Sequence, residues 1–433
     1  MRGVETGRLG VAVTVTRLQW IALLGLCAGV WATWPLWTAR QSFPQIPWVG
    51  VLIDVPAASD VWLLTTAGLA GCVALVTSRR GAAVAARLVF SAAVVGLLLL
   101  DQHRFQVWAL HLLVVLWLLW LDPGTRGLLL VRVFVISIYV HSASSRFDRA
   151  SLEMQWDLLA PLLDRIGVPT KFAGEPQRLW TGAVFVAWEL GTAVLLAVPR
   201  TRRAGVCTSI AMHGMLLLLL GPLGHDHHAG VLVWNTVWIM QNVVLFWSRG
   251  IRGEGGVVAP HPGPLPRRSS SAGLTRLSGE RGRTLIAWAL ALMVVLAPLL
   301  EPWGCWDHWP SWRVYSARPE TVTFYVRESR VTGLPPEVQT IVGPPELLSD
   351  WRPLSLDTWS FAELRCPVYP QARFRLAVAL ALTRQWALGN DVRVVVGSSP
   401  EWWTGKRESQ EYVGEQGIAS ASERFVVNVR ERE

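Results

Sequence analysis

The chain has 433 residues, 52% of them hydrophobic and only 16% charged, with a formal net charge of +9. Soluble domains carry about 25% charged residues, so an ordinary soluble globule is excluded. A nucleic-acid partner is not called for either, because residues 301–433 hold 15 basic and 17 acidic side chains and the positive surplus lies in the apolar part of the chain.

Apolar stretches dominate the first 300 residues. A hydrocarbon core about 30 Å thick needs roughly 20 apolar residues as helix, since lipid offers no partner to an unpaired backbone group. Spans are predicted at Leu18–Trp37, Val61–Thr77, Ala83–Leu100, Phe105–Leu121, Gly127–His141, Trp180–Val198, Ala204–Pro222, Ala229–Trp247 and Thr284–Leu300. The fifth is short and carries Arg132. The first is too long for a secretory signal and lacks a small-residue cleavage site. Tryptophans close the first span (Trp31, Trp34, Trp37) and follow the last (Trp303, Trp306, Trp309, Trp312), as an interfacial belt would.

The expected fold is an all-α polytopic membrane bundle of about nine transmembrane helices followed by a soluble α+β domain. Residues 1–141 form the N-terminal transmembrane helices, 142–179 an outer loop, 180–247 three further transmembrane helices, 248–283 a linker, 284–300 the last span and 301–433 the exported domain. Arginine placement orients the bundle. With nine crossings and the N-terminus inside, the inner segments hold Arg2, Arg8, Arg17, Arg79, Arg80, Arg126, Arg200, Arg202, Arg203 and the seven arginines from Arg249 to Arg283. The expected location is a bacterial inner membrane, with the N-terminus cytoplasmic and the C-terminal domain outside.

Within the outer loop, Leu152, Trp156, Leu159, Leu163 and Ile166 recur at helical spacing and predict an amphipathic surface helix. The linker, with its PHPGPLPRRSSS run, has the composition of a disordered cytoplasmic segment. In the C-terminal domain TVTFYV, VRVVV and RFVVNV alternate like strands, and ARFRLAVALALTRQWALGN reads as a helix ended by Gly389. The five cysteines form no CxxC pair, although Cys305 and Cys366 share a compartment and could bond.

Ionisable residues at membrane depth mark candidate chemistry. Glu189 and His213 each lie ten residues from the PRTRR turn, about 15 Å of helical rise, so adjacent antiparallel helices bring them to one level. They are expected to pair, either as a proton-handling couple or as a structural bond between helices. A second constellation, His225, Asp226, His227 and His228 at the outer mouth, is either a metal site for zinc, copper or iron or a solvated loop. His141, Ser142, Ser145, Arg146 and Asn235 face the same side, where they could line an outward cavity with Arg146 anchoring an anion or a quinone oxygen.

IYVHSASSRFDRASLEMQ followed by WELGTAVLLAVPRTRRAGV resembles the DoxX and MauE group of membrane proteins, over roughly Arg132 to Trp247. The resemblance implies a four-helix membrane unit beginning near residue 132, engaged in quinone or thiol/disulfide redox work with an extracytoplasmic thiol/disulfide partner. It draws attention to Ser142, Ser145, Arg146, Glu189 and Gly191. The chain departs from that pattern by four spans before the unit, by a ninth span and soluble domain after it, and by having no paired cysteines of its own. The overall layout, with WPSWRVYSARPETVTFYV opening the outer domain, is also similar to the HTTM proteins related to vitamin K-dependent carboxylase, whose lysine base would fall to Lys171. A non-enzymatic membrane scaffold is the third expectation. A transporter would show repeats and matched helix breaks, which the sequence lacks.

Overall fold

A computed structural model describes residues 2–38, 42–247 and 271–432 of the chain. It is mostly helical. In order come α1 (Arg2–Ala32), α2 (Trp34–Trp37), α3 (Ala58–Val76), α4 (Arg80–Leu100), α5 (Val107–Leu121), α6 (Thr125–Ser144), α7 (Arg149–Arg165), α8 (Glu175–Ala197), α9 (Arg202–Leu220), α10 (Ala229–Phe246) and α11 (Ser271–Leu296). Among the described residues eight helices are long and apolar enough to cross a membrane: α1, α3, α4, α6, α8, α9, α10 and α11. The remaining apolar helix, α5, has 15 residues and reaches about 22 Å. It is the innermost rod, nearly every side chain buried against α1, α6, α10 and α11.

The short element is therefore α5 and not the predicted fifth span, which extends to 20 residues as α6. Arg132 does not interrupt it: the side chain is buried, and its Nε donates to the Leu245 carbonyl of α10 at 3.1 Å. The predicted linker from 248 to 283 falls mainly outside the described residues, but its last part is helical, because α11 begins at Ser271. The tryptophan belt is divided. Trp31 and Trp303 are exposed, whereas Trp37, Trp309 and Trp312 are buried among helices.

The predicted amphipathic helix is α7. Asp148 caps it, accepting the Ser151 amide at 3.0 Å and the Ser151 hydroxyl at 2.7 Å. Its deepest positions are Ser151, Gln155 and Trp156, while Ile166 is exposed, so the buried face is more polar than the leucine spacing suggests. α7 lies tightly along α8 because Gly182 has no side chain: a Cβ there would stand 2.4 Å from the Leu152 carbonyl oxygen.

Beyond α11 the chain forms a four-stranded antiparallel sheet in the order β2-β1-β3-β4, from β1 (Thr321–Arg327), β2 (Trp351–Leu354), β3 (Val392–Gly397) and β4 (Ser409–Val413). Short helices α12 (Glu328–Val331) and α13 (Pro336–Gln339) follow β1, α14 (Leu356–Leu364) follows β2, and α15 (Ala372–Gln385) and α16 (Gly414–Ser422) complete the layer. Gly389, with φ of +55°, takes the left-handed position just beyond α15. The alternating runs predicted at β1 and β3 are the two central strands, with Phe324, Val326, Val392 and Val394 buried.

RFVVNV is not a strand. Its backbone leaves the sheet and runs onto the bundle, where the Asn428 side chain donates to the Pro47 carbonyl at 2.9 Å and the Arg432 amide to the Gln45 carbonyl at 2.8 Å. The Arg432 guanidinium follows inward, donating to Asp60 at 2.7 Å, and Asp60 also accepts Arg104 at 2.6 Å. All three side chains are essentially inaccessible. Arg373 makes a second clamp, bridging Asp307 and the Gln102 side chain. The C-terminal domain is thus bolted to one end of the bundle through buried ions. No disulfide is formed among the described residues; Cys305 is exposed and Cys366 buried, so the Cys305–Cys366 bond that the sequence left open is not made.

Candidate functional site

Tyr139 and Ser142, three apart, share one face at the end of α6, and Arg146 follows in the turn just beyond it. That face meets α8 and α10, and α9 stands behind. Arg146 bonds through each of its three nitrogens at the top: Nη1 donates to Glu189 Oε2 of α8 at 3.0 Å, Nη2 to Ser142 Oγ at 2.6 Å and Nε to the Val314 carbonyl at 2.9 Å. Both members of the Arg146–Glu189 pair are buried. Such a pair is costly to desolvate and persists only when hydrogen bonds hold both ions, as here.

His213 of α9 sits one layer deeper. Its Nδ1 is 2.8 Å from Asn235 Oδ1 and its Nε2 is 2.8 Å from the Tyr139 hydroxyl. The Asn235 amide nitrogen donates to the Val231 carbonyl at 2.9 Å, which leaves Oδ1 to accept from His213. The tautomer assigned by this network has the proton on Nδ1 and takes the Tyr139 proton at Nε2. Asn242 then donates to the Tyr139 oxygen at 2.8 Å and to Ser209 Oγ at 2.7 Å. The Trp238 indole lies nearly parallel to two imidazoles, His213 at 5.3 Å and His111 at 4.4 Å between centroids.

Arg146, Glu189, His213, Asn235, Ser142 and Gln155 line one cavity of about 60 Å³. That is room for a few waters or the edge of a small polar group. Gln155 donates from Nε2 to the Tyr315 carbonyl at 2.8 Å, while its buried Oε1 has no partner. An unanswered buried acceptor is rare and points to a missing donor.

A strap from the domain junction roofs this cavity. Trp312 and Tyr315 both have positive φ, 61° and 55°, conformations that cost about 1–3 kcal/mol each in a residue with a side chain. Surrounding bonds hold them: Trp312 Nε1 to the Val294 carbonyl, Ser316 Oγ to the Ser145 carbonyl, and the Ala317 amide to Ser151 Oγ. Burial pushes the Tyr315 phenol well above its usual range, so it stays a hydroxyl. Outside the strap lies a vestibule of about 230 Å³ walled by Trp108, Trp234, Trp309, His227 and His228. Trp234, Val314 and Tyr315 border both spaces and form the partition between them.

The expected direct Glu189–His213 bond is absent. Both side chains reach the same cavity, but the carboxylate takes the guanidinium and the imidazole takes neutral partners, because a charge-assisted bond to Arg146 is the stronger choice in a buried site. His141 turns away to the Val295 carbonyl of α11 at 2.9 Å, and the Ser145 hydroxyl turns back to the Ser142 carbonyl at 2.7 Å. These two join or finish helices. Gly191 has open space at its Cα and touches none of the cavity.

The histidine cluster does not converge. His225 Nε2 lies 3.0 Å from the Leu158 carbonyl, His227 Nδ1 accepts the His228 amide at 3.0 Å, His228 stacks on Phe361, and Asp226 sits in the left-handed region. No group of three or more His, Cys, Asp or Glu side chains is arranged for a metal among the described residues. Adjacent histidines on a turn project in different directions. Burial lowers the His227 pKa to about 4, with His228 and His225 adding to it, so His227 is a neutral wall of the vestibule. Lys171 is exposed, its Nζ 5.1 Å from the Phe172 ring, and lines neither space.

Sequence reasoning missed Tyr139, Gln155, Trp238 and the strap. Tyr139 was signalled by its spacing from Ser142, and Gln155 by being the one uncharged polar residue beside Trp156 in α7. Compared with known protein families, curated proteins and solved structures, the chain matches none.

Proposed function

We propose that this chain is an inner-membrane protein that binds a quinone headgroup at the Arg146–Glu189–His213 cavity and handles its protons, serving redox work with a thiol protein outside the cytoplasm. Nine crossings, eight long helices together with α5, would leave the N-terminus inside and the docked domain outside, as the arginine distribution requires. The observation that carries the reading is the unpartnered Gln155 Oε1 facing a cavity that also holds a buried ion pair.

A quinone accepts hydrogen bonds at its carbonyl oxygens and, once reduced, donates from its hydroxyls. Arg146 has five N–H donors, three of them engaged within the protein, which leaves two for a ligand oxygen. Gln155 Oε1 suits a quinol hydroxyl. Glu189 and His213 are the titratable groups beside the ligand oxygens through which protons can be relayed to the quinone as it is reduced. The ring itself matches the tryptophan-walled vestibule, with Tyr315 and Trp234 yielding to admit its oxygen. Two electrons and two protons pass to the quinone as a partner's dithiol closes to a disulfide. The partner must supply both thiols, since the chain has no CxxC pair and forms no disulfide of its own among the described residues.

The test is extraction and spectroscopy of small molecules retained by the detergent-purified protein. Quinone at near-equimolar amount, lost in Gln155→Leu and Glu189→Gln, supports the proposal. Protein free of quinone, with both variants retaining the redox phenotype, sinks it and leaves a scaffold. Carbonate fixation dependent on Lys171 would instead revive the carboxylase likeness.

A further inference from the structure

At the end of the bundle opposite the C-terminal domain, a large recess of about 1100 Å³ is ringed by Arg80, Arg87, Arg126, Arg281 and Arg283, with Asp122 the one carboxylate on its wall. Asp122 is already occupied, accepting the Gly124 amide at 3.2 Å and lying 3.5 Å from the Thr284 hydroxyl. None of the five arginines forms an ion pair among the described residues.

Arginines in cytoplasmic turns are ordinarily spread through solvent. Here they come from the N-terminal parts of α4 and α6 and from the middle of α11 and converge on one space. Arg80, Val84 and Arg87 fall on one face of α4, so the recess runs about 10 Å along that helix from its end. Arg87 is the deepest. Its guanidinium lies 5.7 Å from the Trp120 ring centroid and its Nε is buried without a partner. Val84, Leu121 and Leu285 line the same recess between the charges. A cavity that is cationic at its rim, holds an unanswered guanidinium donor at headgroup depth and is apolar between its charges has the make-up of a phospholipid site. Basic pockets between transmembrane helices on the cytoplasmic side hold acidic headgroups in this way.

We propose that this recess binds the phosphodiester headgroup of an anionic phospholipid, with Arg87 and Arg283 gripping the phosphate and Arg80, Arg126 and Arg281 forming an outer cationic ring. The bound lipid neutralises the recess and ties α4 to α6 and α11. This site is independent of the quinone reading.

The experiment uses the full chain in neutral detergent, titrated separately with phosphatidylglycerol, phosphatidylcholine and inorganic phosphate, and followed by native mass spectrometry and the thermal unfolding midpoint. Phosphatidylglycerol should bind saturably and raise the midpoint, phosphatidylcholine should not, and Arg87→Gln/Arg283→Gln should weaken binding at least tenfold. Because that variant touches a buried side chain, the exposed pair Arg126→Gln/Arg281→Gln is measured beside it and should weaken binding several-fold without lowering the lipid-free midpoint. Equal binding of the two lipids, or unchanged affinity in both variants, overturns the proposal. Full stabilisation by inorganic phosphate alone overturns the assignment to a lipid.

Discussion

The Arg146–Glu189 pair gives the sharpest prediction. In Glu189→Gln the size and one acceptor oxygen survive, but the charge opposite Arg146 is gone. The bond at 3.0 Å keeps a charged donor, so it stays in the class worth about 1.5–3 kcal/mol, but the attraction between opposite charges is gone. The guanidinium also remains buried beside Ser142 and the Val314 carbonyl with nothing to balance it. Breaking one side of a buried pair costs about 3–5 kcal/mol in total. Arg146→Met strands the carboxylate and releases the strap at Val314, with a similar loss. Replacing both at once, Arg146→Met/Glu189→Leu, removes the desolvation penalty and should fall within about 2 kcal/mol of the parent. The two single losses therefore exceed the double loss by several kcal/mol. Tryptophan-monitored unfolding in a denaturing detergent titration measures all four proteins. If each single change costs less than about 1 kcal/mol and the effects simply add, the pair is not held in low dielectric and the site has been misread. The double variant also separates stability from function, since it should fold yet retain no ligand.

Three other outcomes follow from the geometry. Gly182→Val pushes a side chain into the Leu152 carbonyl, where even a Cβ would be 2.4 Å away. It should cost about 1–3 kcal/mol, and hydrogen exchange should rise along α7 and leave α4 unchanged. Arg432→Ala leaves Asp60 with Arg104 and the Gln45 side-chain amide and opens the Arg432 bonds to Gln45, Val55 and Pro56; limited trypsin digestion should then cut the segment after α16 faster than in the parent. His227 is neutral when folded, with its pKa lowered to about 4 against about 6.5 unfolded. The unfolded state binds the extra proton in that window, so stability should fall as pH drops from 6.5 toward 4, and His227→Gln should flatten that part of the profile.

How much was legible depends on which force set each feature. The apolar helices were readable from their uninterrupted hydropathy: each of the nine predicted segments is helical, as α1, α3–α6 and α8–α11, and eight of these are long and apolar enough to cross a membrane while α5 is shorter. Their relative exposure was not. α5 is the most apolar of them and stands enclosed at the centre, whereas α6, with its arginine, was expected to be the weaker; hydropathy does not distinguish a lipid-facing rod from a buried one. Central strands β1 and β3 alternate cleanly, but the edge strand WRPL is only four residues long and half-buried, and SQEYV is mostly exposed, so neither left a pattern. RFVVNV shows the reverse: its alternation was real, yet Asn428 and Arg432 found stronger partners on the bundle than a sheet edge offers.

At the candidate site, depth was legible and partnership was not. Counting rise from the PRTRR turn brought Glu189 and His213 to the same cavity. Which groups they would bond depended on Arg146 and Tyr139, whose rotation about α6 is fixed by contacts more than a hundred residues away, at Val314 and Asn242. The strap is the physical link. Arg146 uses one N–H to hold the Val314 carbonyl and another to hold Glu189, so the roof of the cavity and its charge balance rest on the same guanidinium. A ligand oxygen that draws Arg146 toward itself weakens its hold on Val314 and on Tyr315 next to it, in the partition facing the vestibule. Occupancy of the cavity and position of the strap are then coupled, and under the proposed function a partner docking on the C-terminal domain beside Trp309 would read one from the other.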